Sequence, residues 1–423
     1  MTQLETLIQT LCPNGVKFVK LGEVGEFENI GVDKKSNANE QKVTLLNYVD
    51  IYKNKYIDAS IPSMVVTAPD KKITQCNVLQ YDIFVTPTSE TRDDIGHAAV
   101  VLEDLPNVVY SYHIMRFRLD EPNIDTAKFI RYLFETPIIQ KQIYKAAKGL
   151  TRFGLSKYQF AELQIPLPPL AVQSEIVRVL DKFTLHKAEL AAELAARLRQ
   201  YEYYRDKLLT FDDTVKRVKL GEVGEFYGGL TGKTKEDFKE GNAKFITYKN
   251  IFSNLALDID IEDRVFITEG EKQNIVQYGD VLFTASSETP DECGMSSVLT
   301  TPTDEKLYLN SFCFGWRLFD KSIYLPDFLK HLFRCAELRK QIGKTASGVT
   351  RFNVSKAKMK KVSIPLPSLS EQERIVSILD RFDTLCHDIR EGLPAEIELR
   401  QKQYEHYRDK LLTFTDIIGY KNL

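Results

Sequence analysis

The chain has 423 residues, a formal net charge of −2 and a hydrophobic share of 43%, a composition typical of a globular protein with two or three domains. It contains no run of about 18 apolar residues, so we expect no membrane span. Its six cysteines form no CxxC pair, which predicts reduced thiols in a cytoplasmic protein. The near-neutral total does not exclude nucleic-acid binding, which needs only a local basic surface.

The first third of the chain alternates strand-like and helix-like patterns. Strands are predicted at 43–49 (VTLLNYV), 98–102 (AAVVL) and 115–119 (MRFRL). An amphipathic helix is predicted at 129–147, where apolar residues recur near helical spacing. The proline-rich IPLPPL at 165–170 then ends the first globular part, because prolines stop regular structure.

A long helix is predicted at 171–209. Its 4-3 spacing is typical of a coiled coil and would extend over about five heptads. The seam consists of Ile176, Leu180, Phe183, Lys187, Leu190, Leu194, Arg197, Tyr201, Tyr204 and Leu208. At about 1.5 Å per residue the helix would be ~60 Å long, and this length favours a partner helix over an ordinary core helix.

The second half of the chain repeats the first. VKLGEVGEF at 19–27 recurs without change at 218–226, and YRDKLLTF at 204–211 recurs at 407–414. GLTRF and IPLP in the first half are likewise matched by GVTRF and IPLP in the second. The protein is therefore a tandem duplication with a period of about 200 residues.

The second copy also ends in a predicted helix, which starts near Ser370. The sequence EGLPAEI interrupts it, since Gly392 suits a helix end and Pro394 suits the first turn of a new helix. We expect a break there, with helix resuming to about Leu412.

Between the repeated segments, residues 28–148 and 227–347 have nearly equal length but little identity. Isolated matches survive, such as Tyr48 with Tyr248. Equal length with shared landmarks indicates one fold, and different residues elsewhere indicate different surfaces. We therefore expect the repeated parts to share a task and the divergent parts to recognise different things.

This order of globular region, helix, globular region and helix resembles the specificity subunits of type I DNA restriction–modification systems over essentially the whole chain. The match is carried by the repeated KLGEVGEF, the GLTRF…IPLP and GVTRF…IPLP segments, the helices that begin QSEIVRVLD and QERIVSILD, GLPAEI, and the repeated YRDKLLTF. The resemblance implies an α+β fold, in which a mixed α/β target-recognition domain and a long coiled-coil helix occur twice in tandem. It also implies that the two helices pack antiparallel.

The resemblance further implies a division of the chain and a set of partners. The implied parts are target-recognition domain 1 at 1–168, spacer helix 1 at 169–210, a linker at 211–217, target-recognition domain 2 at 218–367, spacer helix 2 at 368–414 and a tail at 415–423. The implied partners are double-stranded DNA, two methyltransferase subunits bound through the helices, and motor-nuclease subunits. No cofactor is expected in this chain; S-adenosylmethionine is expected in the methyltransferase, and ATP with Mg²⁺ in the motor-nuclease.

Motifs for catalysis are missing from the sequence. We find no [DNS]PP[YFW] motif of an adenine methyltransferase, no P-loop and no His/Cys pair with metal-ligand spacing. The acidic spots at 92–94 and 290–292 lack the Glu-x-Lys partner of a nuclease. We therefore expect a non-catalytic subunit. The alternatives are a specificity subunit of a type IIB-like system, a stand-alone DNA-modifying enzyme, and a coiled-coil scaffold without a DNA role.

Two matched segments, 137–157 and 338–361, are basic and contain no Asp or Glu. A solvated face would explain either one alone, but two at equivalent places favour DNA binding. Each includes a G-x-T-R-F loop, whose glycine allows close approach to a phosphate and whose Thr and Arg donate to its oxygens. The predicted backbone contacts are Lys141, Lys145, Lys148, Thr151, Arg152, Lys157, Lys340, Lys344, Thr350, Arg351, Lys356 and Lys358.

Base reading requires side chains that differ between the copies. The segments TPTSETRDD at 86–94 and TASSETPDE at 284–292 supply hydroxyl and charged partners for base edges, although a plain Ser/Thr turn is an equal alternative. The predicted reading residues are Thr88, Ser89, Arg92, Ser286 and Ser287. Among them Arg92 is favoured for guanine, because Pro290 replaces it in the other copy. His97 and His113 could also contact DNA, but for each we favour a buried histidine with satisfied hydrogen bonds.

Overall fold

A computed structural model describes residues 3–388 and 392–416 of the protein. The chain divides into two compact units. Unit 1 comprises Met1–Glu189 with Ile397–Leu423, and unit 2 comprises Leu190–Glu396. Each unit therefore combines one globular region with part of the long helix that follows the first copy and part of the interrupted helix that follows the second copy.

Unit 1 is a mixture of short helices and strands. Its helices are α1 (Gln3–Leu11), α2 (Tyr48–Lys53), α3 (Asp70–Gln75), α4 (Ile124–Phe134), α5 (Pro137–Ala146), α6 (Lys157–Ala161) and the first part of α7 (Leu170–Leu208). Its strands are β1 (Phe18–Lys20), β2 (Gly25–Glu28), β3 (Gln41–Leu46), β4 (Tyr56–Ile57), β5 (Met64–Ala68), β6 (Asn77–Val78), β7 (Ile83–Val85), β8 (Thr88–Ser89), β9 (Ala98–Val101), β10 (Leu105–Tyr110), β11 (Met115–Leu119), β12 (Phe153–Gly154) and β13 (Gln164–Pro166).

Unit 2 has the same kind of composition. Its helices, after the second part of α7, are α8 (Leu220–Val223), α9 (Tyr248–Ser253), α10 (Pro326–Leu332), α11 (Ala336–Gly343), α12 (Lys356–Met359), α13 (Leu369–His387) and the start of α14 (Leu393–Leu411), which continues into unit 1. Its strands are β14 (Arg217–Lys219), β15 (Gly224–Gly228), β16 (Ala243–Ile246), β17 (Arg264–Val265), β18 (Ile275–Val276), β19 (Val281–Thr284), β20 (Ser286–Ser287), β21 (Ser296–Val298), β22 (Leu307–Leu309), β23 (Cys313–Leu318), β24 (Ala346–Ser347), β25 (Phe352–Val354) and β26 (Ser363–Pro365).

The two units share a sheet plan. In unit 1 the sheets run β2-β11-β7-β9-β4 and β5-β3-β10-β6, with small pairs β1-β13 and β12-β8. In unit 2 they run β15-β23-β19-β21 and β17-β16-β22-β18, with β14-β26 and β20-β25-β24 beside them. The equal length of the divergent segments thus reflects one mixed α/β fold, as predicted.

Strand alternation places one central strand of each unit between two apolar cores. In β7, Ile83 and Val85 face the core formed with the helices, whereas Phe84 faces the second sheet. In β19, Phe283 likewise faces the core formed with the helices, and Leu282 faces the second sheet. A short run of apolar residues without a polar face is therefore what this position requires.

The predicted long helix is confirmed as α7, and each of its parts packs against an antiparallel partner. In unit 1, Phe183 stacks on Tyr407 with ring centroids 5.4 Å apart, and Lys187 Nζ donates to Gln401 at 2.7 Å. In unit 2, the Tyr201 ring lies 5.7 Å from the His387 ring, and one turn later in α7 the Tyr204 ring lies 5.6 Å from the Phe382 ring. In both units the partner's numbers fall as those of α7 rise, which defines antiparallel packing.

The predicted break in the second helix is also confirmed. Helix α13 ends at His387 and α14 begins at Leu393, directly after Gly392 and with Pro394 in its first turn. Residues 389–391, the last of which begins the interrupting sequence, lie outside the described residues. Among the described residues, no helix is long and apolar enough to cross a membrane.

Two predicted elements are wrong in their bounds. The helix predicted at 129–147 is two helices, α4 and α5, and the same division occurs between α10 and α11. Pro137 begins α5, but Ala336 begins α11, so the break does not depend on proline. The strand predicted at 43–49 ends at Leu46, because Asn47 caps α2 by accepting from the backbone N–H of Val49.

Candidate nucleic-acid interface

The structure brings the basic segment of unit 1 against the divergent loop. Strand β12 pairs antiparallel with β8, so that Phe153 lies opposite Ser89 and Gly154 opposite Thr88. Strand β12 closes the G-x-T-R-F loop, and β8 lies within TPTSETRDD. Two segments that the sequence assigned to phosphate and base contacts are therefore neighbours on one surface.

Unit 2 repeats this arrangement. Strand β25 pairs antiparallel with β20, so that Asn353 lies opposite Ser286 and Phe352 opposite Ser287. On its other side β25 pairs with β24, which completes a hairpin around the G-x-T-R-F loop. The backbone frame is thus the same in both units although the loop sequences differ.

An arginine joins hairpin and loop at the same point in each unit. Arg152 Nε donates to Thr88 Oγ1 at 3.2 Å, and Arg351 Nε donates to Ser286 Oγ at 3.1 Å. Both arginines are exposed. A guanidinium carries five N–H donors, so one that uses a donor on the neighbouring loop keeps others for a phosphate.

The predicted reading residues divide by burial. Thr88 and Ser89 are half-buried, whereas Ser286 and Ser287 are only 5% and 9% exposed. Direct base contact needs an accessible hydroxyl, so burial argues against the prediction for the unit 2 serines. Their hydroxyls hold the loop instead: Ser286 accepts from Arg351, and Ser287 Oγ donates to Glu292 at 3.2 Å.

Arg92, the residue favoured for guanine, lies beside aromatic rings of the basic segment. Its guanidinium carbon is 4.9 Å from the Phe153 ring centroid and 5.8 Å from that of Tyr144. The residue is half-buried. Such cation–π stacking fixes the guanidinium at the junction of hairpin and loop. Pro290 cannot form it in unit 2.

Most of the predicted phosphate-contact lysines are exposed. These are Lys141, Lys145, Lys148, Lys340, Lys344, Lys356 and Lys358, while Lys157 is half-buried. Thr151 and Thr350, at the hairpin tips, are exposed too. One other cation of the second basic segment, Arg339, turns inward and donates to the carbonyl oxygens of Gly294, Asp291 and Cys293. Burial lowers its pKa, and its task is to hold the loop.

The sequence analysis missed a pair of stacked aromatic rings beside each loop. Tyr48 and Tyr52 stack with centroids 5.9 Å apart, and Tyr248 and Phe252 stack at 6.0 Å. In unit 2 this pair and Arg351 help to line a cleft of about 540 Å³. The match of Tyr48 with Tyr248 was the available signal, because each hydroxyl donates to the backbone of its loop.

The environment of His97 also differs from the expectation. Its side chain is 39% exposed, and Nε2 lies 2.9 Å from Asp94 Oδ1, so the prediction of burial is wrong. The Tyr52 hydroxyl donates to the same carboxylate at 3.2 Å. His113 is half-buried, and burial and nearby Lys34 lower its pKa.

In unit 1 the globular region docks on α7 through a carboxylate. Asp181 accepts hydrogen bonds from the hydroxyls of Tyr132, at 2.6 Å, and Tyr56, and from Lys128 Nζ at 2.8 Å. Burial would raise the pKa of Asp181, but these donors outweigh it and lower the pKa. The ionised carboxylate therefore holds three side chains of the domain on the helix.

The same unit docks on α14 through a tyrosine. The Tyr404 hydroxyl donates to Glu135 and accepts from Lys55 Nζ at 3.2 Å, while Arg131 forms an ion pair with Glu135. Burial alone would raise the pKa of Glu135, but Arg131 and Lys55 lower it to about 2. Burial and Arg131 together lower the pKa of Lys55 to about 8.

Unit 2 docks through an aspartate and a tyrosine at equivalent positions. Asp380 on α13 lies 2.7 Å from His331 Nε2 and 2.9 Å from Lys330 Nζ. The Tyr201 hydroxyl on α7 lies 3.1 Å from His331 Nδ1. The fully buried imidazole thus connects the two helices of this unit through its two nitrogens.

The chain is similar to known proteins over both of its halves. A family model described as the type I restriction modification DNA specificity domain matches the chain twice, over residues 13–200 and 212–399. The Escherichia coli EcoR124I/EcoR124II type I restriction enzyme specificity subunit is 37% identical over 276 residues. That match takes in 62% of this chain and 66% of the E. coli subunit, slightly under two thirds of its length.

A second curated relative, from Haemophilus influenzae, is named as a candidate type I restriction enzyme specificity subunit. It is 35% identical over 275 residues, which are 63% of this chain and 68% of the relative. Among solved structures, a chain from work on the complex assembly and conformational transition of the type I R-M system superimposes with a TM-score of 0.57 at 19% identity. The superposition covers 94% of this chain and 97% of that chain and shows a shared fold.

Proposed function

Because the chain belongs to the type I restriction–modification DNA specificity family, we propose that it is the sequence-reading subunit of such a system. In this proposal each globular region binds one half of a bipartite, asymmetric site in double-stranded DNA. The chain itself catalyses no reaction, and partner subunits carry out adenine methylation and cleavage.

The contacts of Arg152 with Thr88 and of Arg351 with Ser286 carry the proposal. A phosphate bound by the basic hairpin fixes where the divergent loop lies against the duplex, since hairpin and loop share a backbone ladder. The hairpins are nearly identical, as sequence-independent contacts require. The loops differ, as two different half-sites require.

We assign the exposed hairpin residues to phosphate contacts and the loops to base edges. In unit 1 the reading residues are Thr88, Ser89 and Arg92. In unit 2 Ser286 and Ser287 are buried, and the exposed Glu288 and Thr289 that follow repeat Glu90 and Thr91 of unit 1, so the difference between the loops lies in the next residue. Arg92 of unit 1 can donate to guanine, whereas Pro290 at the equivalent position of unit 2 cannot, so the two loops would prefer different bases.

We further propose that methyltransferase subunits bind along α7, α13 and α14. Exposed apolar side chains on these helices support this: Leu185 and Tyr203 are each 60% exposed, and Leu399 is 54% exposed. Apolar side chains at such exposure suit a protein interface. Motor-nuclease subunits complete the complex, with S-adenosylmethionine in the methyltransferase and ATP with Mg²⁺ in the motor.

A reducing cytoplasm is the compartment that we propose for this protein. All six cysteines are free and buried. Burial raises the pKa of thiols such as Cys313, to about 12, and keeps them unreactive. Among the described residues, no group of three or more His, Cys, Asp or Glu side chains is placed to hold a metal ion.

Genome-wide detection of methylated adenine tests the proposal. Cells without other adenine methyltransferases receive this chain together with its methyltransferase partner, or either one alone. We expect a motif of two different half-sites with a fixed gap, and only when both are present. Methyl transfer from S-adenosylmethionine to DNA by the purified chain alone would overturn the assignment.

A further inference from the structure

Each hairpin carries an apolar side chain that the protein leaves almost completely in water. Leu150 is 94% exposed and Val349 is 91% exposed, the highest values for large apolar side chains in the part of the chain that the structure describes; the next, Tyr158, is at 74%. One exposed leucine needs no explanation. The same feature at the equivalent position of both units indicates a task outside the folded chain.

The backbone holds these side chains outward. Lys148 and Gly154 exchange two backbone hydrogen bonds, of 3.1 and 3.0 Å, across the unit 1 hairpin. At its tip Gly149 has φ 144°, and Gly348 has φ 155° in unit 2. A Cβ at either glycine would collide with the carbonyl oxygen of Arg152 or Arg351. The tip is therefore a fixed turn, in which only glycine fits before the apolar residue.

The charges around each tip indicate which kind of molecule the apolar side chain contacts. No Asp or Glu occurs in residues 137–157 or 338–361, and Arg152 and Arg351 follow the apolar residue by two positions. Such a tip is attracted to a polyanion, and the largest apolar surfaces that a duplex offers are the faces of its stacked bases, which exceed the thymine methyl groups in the major groove. A partner with an acidic apolar pocket is the competing occupant, but it would not explain the arginines anchored on the reading loops.

We propose that Leu150 and Val349 are wedges that enter the duplex between neighbouring base pairs, one in each half-site. The inference rests on the proposed function. Each wedge gains by leaving water, and this gain offsets part of the cost of unstacking one step. Because Leu is larger than Val, the step opened by unit 1 is opened further. A partly unstacked step also lowers the cost of extruding a nearby base for methylation.

The first test measures binding to a duplex that carries the methylated motif, with the chain in complex with its methyltransferase partner. We expect Leu150→Ser to weaken binding about tenfold, with an unchanged dependence on salt, because no phosphate contact is lost. Leu150→Met keeps an apolar wedge and should bind as the original chain does. Val65→Ser, at a site in β5 that is 64% exposed, is the matched control and should have no effect.

The second test moves a single mismatched base pair through the site. A mismatch at the wedged step supplies the unstacking in advance, so it should restore binding of Leu150→Ser at one position of one half-site. Val349→Ser should be restored at one position of the other half-site. Binding of Leu150→Ser equal to that of the original chain, or a loss that no mismatch position restores, would overturn the wedge. If the original complex does not prefer the motif over a scrambled duplex, the proposed function fails instead.

Discussion

The two units attach to their helices through the same helix residues but through different domain residues. The helices contribute Asp181 and Tyr404 in unit 1, and Asp380 and Tyr201 in unit 2. The domain residue that contacts the aspartate is Tyr132 in unit 1 and His331 in unit 2. The helices therefore offer a standard docking surface, and the domains have adapted to it separately.

The clearest difference is the position of a buried arginine. In unit 1, Arg131 Nε donates to the carbonyl oxygen of Ala98 at 3.2 Å; in unit 2, Arg334 Nε donates to that of Ser296 at 2.8 Å. These carbonyls start equivalent strands, β9 and β21. Arg334, however, is equivalent to Glu135, one helical turn after Arg131.

The charges around the arginine have changed together. In unit 1, Lys55 and Arg131 neutralise Glu135. In unit 2 the equivalent of Lys55 is Leu255, which packs against the apolar core. The equivalent of Arg131 is Lys330, which forms ion pairs with Asp380 and Asp327. A buried charge needs a partner, so a change at one position requires changes at the others. The domains can diverge in this way while the frame stays fixed.

The largest effect is expected from Arg131→Ala, which leaves Glu135 buried with weaker compensation. We expect the free energy of unfolding of unit 1 to fall by about 3–5 kcal/mol, measured by hydrogen exchange in α4. The fourfold change Lys55→Leu, Lys128→Asp, Arg131→Lys and Glu135→Arg copies unit 2 at these positions and should recover most of the loss. A fourfold variant as unstable as Arg131→Ala would show that the exchange is not compensated. Lys35→Ala, at an exposed pair with Asp33, should change stability by less than about 0.5 kcal/mol.

The next largest effect is expected from acid, which should destabilise unit 1 more than unit 2. The pKa of Glu135 is lowered to about 2, so the stability that it contributes is complete above its ordinary pKa of about 4.5 and is lost as pH falls through the window between them. The pKa values of Asp181 and Asp380 are both lowered, so acid weakens the docking contact in both units, and Arg334, with a pKa of about 10, does not titrate in this window. Hydrogen exchange corrected for intrinsic rates should therefore show α4 losing more protection than α10 between pH 5 and 3. Glu135→Gln should remove the difference, and equal losses in the original chain would contradict this account.

The docking tyrosines should differ in importance. The Tyr404 hydroxyl donates to the carboxylate of Glu135, whereas the Tyr201 hydroxyl forms a hydrogen bond with the imidazole of His331. Hydrogen bonds to charged groups such as a carboxylate are the stronger ones. We expect Tyr404→Phe to cost about 2 kcal/mol and Tyr201→Phe about 1 kcal/mol in local unfolding free energy. A larger cost for Tyr201→Phe would reverse the order of the two contacts.

The hairpin arginines should have the smallest and most similar effects. Arg152→Ala and Arg351→Ala should each weaken DNA binding and lower the slope of log affinity against log salt by about one unit. The methylated motif should stay the same. A changed half-site would move these residues from phosphate contact to base reading. Arg374→Ala, on α13 and paired with Glu371, is the control and should leave the slope unchanged.

The sequence predicted what repetition and periodicity can encode. The duplication, the 4-3 seam of α7 and the break at Gly392 and Pro394 all follow from local patterns. The division of α4 from α5 could not be predicted, because it also occurs without proline. The burial of Ser286 could not be predicted either, since Ser/Thr-rich loops look exposed in sequence and only the ladder with β25 covers this one. The arginine exchange could not be predicted, because the equivalence of Arg131 and Arg334 lies in the carbonyl oxygens of Ala98 and Ser296 that they bind and not in their sequence positions.

A chimera tests most directly whether each divergent segment reads its own half-site. Residues 28–148 are replaced by a second copy of 227–347, which brings Lys330, His331 and Arg334 to a helix surface that already has the required aspartate and tyrosine. Methylated-adenine sequencing should then give a perfect inverted repeat of one original half-site, because identical domains read identical sequences. The reciprocal chimera should give the inverted repeat of the other half-site. An active chimera that still methylates two different half-sites would contradict the account.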